Sequence, residues 1–143
     1  MDALGRIINV VPLASGVHIS LAQAGTAVTF CGYEDGGATD ILVKSSESGA
    51  GSSEAALAVS RWHTSNGVGV DQVWTTHDLD TPLSTLEPTD DTSQDGWCFT
   101  VDQDDLPDGH TCVEVTPDGG TCVAIVHELR RKGAPSLLPA PGA

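Results

Sequence analysis

Three groupings of residues in this chain have types that can do chemistry. His110, Cys112 and His127 flank a Pro117-Asp118-Gly119-Gly120 turn. If residues 110–116 and 121–129 pair as a hairpin closed at Asp118-Gly119, His110 lies opposite His127 and Cys112 shares their face. Imidazole and thiolate that close together can hold zinc. The arrangement depends on that one register, and the paired Cys-x-x-Cys spacing of a zinc knuckle is absent, so no metal is expected. The second grouping is "DQDDLPDG", 102–109, whose clustered carboxylates suggest a calcium loop. Leu106 and Pro107 interrupt the series where an EF-hand needs alternating ligands and a closing Glu, so a solvated turn is the better reading. The third is the set of Trp62, Trp74 and Trp97, which can line a sugar groove. In a chain with six aromatics in all, burying the large rings contributes most to stability, and a core role is expected for them.

No Gly-x-Ser-x-Gly nucleophile turn and no phosphate-cradling Gly-x-x-x-x-Gly-Lys-Ser/Thr occurs. The expectation is a protein that is not an enzyme and needs no cofactor. The four cysteines are too sparse for a small disulfide scaffold, and free thiols are expected. Closing the last hairpin at Asp118-Gly119 puts Cys112 opposite Ile125, and a three-residue loop puts it opposite Val126; in neither case does it face Cys122. A Cys98–Cys112 bridge stays open if residues 103–107 form a hairpin loop.

The elements that must position these groups are short and turn-bounded. Residues 7–11, 17–21, 27–33 and 39–46 read as strands, with a small-residue loop at 46–54. At 53–63 a helix capped by Ser53 competes with an alternating strand, and strand is preferred. A strand over 71–77 leads into a polar stretch, 78–96, that reads as a long connection or in part a weak edge strand. Residues 97–102, 110–116 and 121–129 are the clearest strands. Many short strands without strand–helix alternation imply an all-β fold, an antiparallel β-sandwich or barrel of jelly-roll-like layout. Residues 1–129 form that domain in this reading. Residues 130–143, with Pro135, Pro139 and Pro141, form an extended basic arm.

Net charge is −14, from 20 acidic residues against 6 Lys and Arg. Such a surface opposes a phosphate backbone, so nucleic acid is not an expected partner. Thirteen of the acids fall between Asp71 and Asp118, which predicts a solvated or partner-facing acidic side. No apolar run reaches the ~20 residues of a membrane helix, and "IINVVPLASG", 7–16, lacks the basic leader of a secretion signal. A soluble protein without a cleaved leader or a membrane partner is expected.

The stretches "GVHISLAQAGTAVTFCGYEDGGATDILVKSSESGAG", "GVG…VW" at 67–74, "DDLPDGHTCVEVTPDGGTCVAIVHEL" and the ending "APSLLPAP" resemble small structural proteins of tailed phages that infect actinobacteria. The resemblance covers most of the chain and supplies no catalytic residues. It implies a β-rich virion protein, a capsid decoration or head accessory protein. Such a protein is made in the host cytoplasm and carried on the capsid surface as a homo-oligomer, with the major capsid protein as partner. Cys112 departs from it, where an aromatic or aliphatic residue is expected. On this reading the arm docks on a neighbour, Leu137 and Leu138 filling an apolar pocket and Arg130, Arg131 and Lys132 meeting acids at its rim. The competing readings are a carbohydrate-binding β-sandwich module that uses the tryptophans, or another virion component such as a tail protein.

Overall fold

Period-two alternation of apolar and polar residues puts one face of each strand into a core and the other into solvent. The computed structural model describes residues 8–33, 40–65, 73–88 and 96–129, and within them this alternation produces eleven strands. In chain order they are β1 (Asn9–Pro12), β2 (His18–Ser20), β3 (Gly25–Tyr33), β4 (Ile41–Ser46), β5 (Ala55–Ala56) and β6 (Val59–Ser65). There follow β7 (Trp74–Leu83), β8 (Thr85–Leu86), β9 (Gly96–Asp102), β10 (Cys112–Pro117) and β11 (Thr121–Leu129).

They form two antiparallel sheets packed together as a β-sandwich. One sheet has six strands in the order β1-β11-β3-β9-β6-β7. The other runs β2-β10-β4-β5, and β8 also pairs with β4. Among the described strands, consecutive ones pair only twice, β4 with β5 and β6 with β7; elsewhere the chain crosses from sheet to sheet. The core lies between the layers. Val28, Phe30, Phe99 and Val126 from the six-stranded sheet meet Ile19, Val43, Val113 and Val115 from the other. Phe30 and Phe99 pack at 5.4 Å between ring centroids, and Trp97 stacks on Phe99 at 5.9 Å. Such aromatic pairs add about 0.5–1.5 kcal/mol each beyond the area they bury.

The all-β sandwich expected from the strand pattern is the observed fold. Strand rather than helix occupies the 53–63 region, as β5 and β6. The polar stretch 78–96 begins as a continuation of β7, which runs to Leu83 and is the edge strand of its sheet. The last hairpin does not exist as a pair. β10 is bonded to β2 and β4 and β11 to β1 and β3, so neither has a free edge for the other. The Asp118–Gly120 turn instead carries the chain across the sandwich, with Gly120 at φ 75° and the Asp118 amide donating to the Asp40 carbonyl. The possible Cys98–Cys112 pairing falls likewise: β9 and β10 do not form the hairpin it required, and both cysteines are free thiols. Trp62 and Trp97 are core residues as expected, but Trp74 is 49% exposed. The arm, 130–143, lies outside the described residues.

Gly32 of β3 sits opposite Trp97, and the indole lies over the space a side chain would take: a Cβ there would come within 2.5 Å of the ring and 2.6 Å of the Thr121 carbonyl oxygen. Gly109 has positive φ, 87°, but open space around it. Gly32→Ala is therefore expected to lower stability by about 1–3 kcal/mol through overpacking, and Gly109→Ala by about 1 kcal/mol through backbone strain alone. Urea unfolding of both variants checks this. A harmless Gly32→Ala would contradict the observed packing of Trp97.

Candidate functional site

The residue patterns that looked reactive are taken apart by the fold. His110 shares a hydrogen bond with Ser45 Oγ at 2.8 Å, whereas His127 bonds Thr29 Oγ1 at 2.9 Å in the other sheet. Cys112 is buried on β10. No zinc site arises from these three, because the register that would join them is not formed. In 102–109 one carboxylate serves the backbone: Asp105 Oδ2 accepts from the Asp102 amide at 2.8 Å and closes a one-turn 3-10 helix, Gln103–Asp105. Arg130, Arg131, Lys132, Leu137 and Leu138 lie outside the described residues.

What the fold assembles instead is a surface. Val28, Phe30, Trp97 and Phe99 point inward, so the residues alternating with them line the outer face of the six-stranded sheet. Register sets these in rows across the strands. One row runs Thr121, Tyr33, Gly96, Ser65, Trp74, with Tyr33 40% and Trp74 49% exposed at either side of two small residues. The next runs Pro12, Val123, Cys31, Cys98, His63, Thr76. A third runs Val10, Ile125, Thr29, Thr100. None of the three contains Asp, Glu, Lys or Arg. On a chain of net charge −14 this is an uncharged, half-apolar face. The uncharged patch ends within the sheet: two residues along β6 and β7 from His63 and Thr76 stands the Arg61–Asp78 ion pair, and two along β9 from Thr100 stands Asp102.

In the middle of that face Cys31 and Cys98 are cross-strand partners, and all four cysteines are free thiols. Cys31 hydrogen-bonds Cys98, which favours the Cys98 thiolate and brings its pKa down to about 7; the same bond, with burial, pushes Cys31 up. Burial alone pushes the Cys122 thiol up to about 12.

The outer face of the five-stranded sheet is built differently. Glu114 of β10 stands between His18 of β2 and Lys44 of β4 in register, and Glu54, just before β5, reaches back over them. His18 and Glu114 are buried, at 7% and 6% exposure. His18 Nε2 lies 3.1 Å from Glu54 Oε1 and 3.5 Å from Glu114 Oε2. Glu114 Oε1 accepts from the Gly16 amide at 2.8 Å, and Lys44 Nζ donates to Glu54 Oε2 at 3.2 Å. The hydrogen bonds from His18 and then Lys44 hold the Glu54 carboxyl below its ordinary range. Neither this cluster nor the cysteine pair is visible in local motifs, since their members are brought together only by strand register. Comparisons with protein-family models, with curated proteins and with solved structures return no match.

Alkylation of the native protein should single out Cys98. Its rate with iodoacetamide should be half-maximal near pH 7 and level off by about pH 8.5, while Cys122 stays slow well into alkaline solution. Peptide mass spectrometry over a pH series reads both. A Cys98 rate still climbing beyond pH about 8.5, as for an unperturbed thiol, would contradict the Cys31 hydrogen bond.

Proposed function

We propose that this chain is a non-enzymatic virion structural protein, a capsid decoration protein that binds and stabilises a shell of major capsid protein. The observation that carries the reading is the uncharged patch on the outer face of the six-stranded sheet, on an otherwise strongly acidic body. Exposed apolar faces rimmed by polar residues mark protein interaction sites, and aromatic residues are enriched at their centres. Trp74 and Tyr33 supply such aromatics, both exposed on this face. The acidic remainder keeps many copies mutually repelled until they dock as a homo-oligomer. The resemblance of the quoted stretches to phage structural proteins supports the same partner. The arm, with Arg130, Arg131, Lys132, Leu137 and Leu138, is proposed as a second contact that orients the subunit.

The exposure of Trp74 also favours a second reading, a carbohydrate-binding module in which Trp74 and Tyr33 stack on sugar rings. The two readings predict different ligands for one face.

Purified protein mixed with undecorated shells of the major capsid protein should co-sediment, and Trp74→Ala should weaken this by about 30-fold, the loss of an exposed aromatic anchor of about 2 kcal/mol. A chain ending at Leu129 should keep its melting temperature within a few degrees yet bind shells poorly. No co-sedimentation of the full chain would overturn the decoration reading; quenching of Trp74 fluorescence by oligosaccharides, with no shell binding, would establish the sugar-binding one.

A further inference from the structure

We propose that His18, Glu54 and Glu114 form a binding site for a divalent transition metal, zinc by the chemistry of its donors. The site is independent of the docking face, being on the outer surface of the opposite sheet. The convergence of three donor atoms around His18 is what singles the cluster out. The His18 Nδ1 lies 3.1 Å from the Gly16 carbonyl oxygen, which can only accept, so Nδ1 carries a proton. Nε2 is left to face two carboxylate oxygens, Glu54 Oε1 at 3.1 Å and Glu114 Oε2 at 3.5 Å. In the metal-free protein it donates its proton in a hydrogen bond to Glu54, and a metal ion in place of that proton would meet all three donors at once.

The spacing of the donors suits a metal. All three donor atoms lie within 4.8 Å of one another. Tetrahedral zinc with bonds of about 2.0–2.1 Å sets its ligand atoms about 3.3 Å apart, and the two distances from Nε2 bracket that value. The Nδ1 bond to a backbone carbonyl is the outer contact that fixes a metal-binding imidazole in its tautomer. Glu114 is held in turn by the Gly16 amide through its other oxygen, and Glu54 by Lys44. A nitrogen ligand with two carboxylates suits zinc better than magnesium or calcium, which prefer oxygen alone.

Gly51 shapes the remaining side. A Cβ on it would lie 2.9 Å from Glu54 Oε1 and 3.2 Å from His18 Nε2, so the glycine brings backbone against the ligands without crowding them. A bound ion would tie β2 and β10 to Glu54, and so clamp the 47–54 loop over the sheet.

The test uses tag-free full-length protein stripped with a chelator and titrated with zinc alone by calorimetry, with cobalt as a spectroscopic probe. One ion per chain is expected, with a rise of a few degrees in melting temperature at saturation. The cobalt spectrum should lack the intense thiolate charge-transfer band that the Cys31–Cys98 pair would give. His18→Ala and Glu54→Gln should each weaken binding at least about tenfold. Because Glu54 is exposed, Glu54→Gln should still fold and melt within a few degrees of the metal-free parent despite losing the Lys44 ion pair, separating lost ligation from lost folding. The absence of stoichiometric binding, binding that survives Glu54→Gln unchanged, or a thiolate band in the cobalt spectrum would each overturn the site.

Discussion

β10 and β11 are each flanked on both sides by other strands, in different sheets, although only Asp118, Gly119 and Gly120 separate them. That corner governs the sandwich. It commits Val113 and Val115 to one inner surface and Ala124 and Val126 to the other, so two adjacent stretches of sequence face each other across the core. Each then recruits neighbours distant in sequence, β2 and β4 on one side and β1 and β3 on the other. Ordering such non-local pairs costs loop-closure entropy before any burial offsets it. The aromatic contacts of Phe30, Trp97 and Phe99 are where that offset concentrates.

Once the inner surfaces are fixed, pleat geometry dictates the outer ones. The six-stranded sheet turns out small, aromatic and hydroxyl side chains. The five-stranded sheet turns out His18, Glu114 and Lys44. Two surfaces of different chemistry follow from one packing decision: the first fits a protein partner, the second a cation. They are far apart in kind as well as in place, so loss of one need not impair the other.

Much of this was legible in the sequence, for physical reasons specific to each part. Strands such as 27–33 and 121–129 announce themselves by β-branched and aromatic residues between glycine-rich turns, and the sandwich follows from their number. The Pro117–Gly120 turn was misleading because a short glycine turn between two alternating strands favours a hairpin locally, and only the occupied edges of β10 and β11 rule it out. Every register inference resting on that hairpin failed with it, including the His110–His127 juxtaposition. Trp62 and Trp97 were readable as core from ring size, but Trp74 was not separable from them. Its exposure depends on its place opposite Ser65 on an edge strand. His18 with Glu114, and Cys31 with Cys98, are joined across 96 and 67 positions. Nothing local marks them.

The proposed orientation of the protein on its shell is open to direct view in a cryo-EM map of decorated particles. With the outer face of the six-stranded sheet as the docking surface, Tyr33 and Trp74 should lie buried against a neighbouring capsid subunit. The His18–Glu54–Glu114 face should then remain open to solvent. A map in which Tyr33 and Trp74 face solvent while the five-stranded sheet sits on the shell would contradict that orientation, and with it the functional meaning given to the uncharged face.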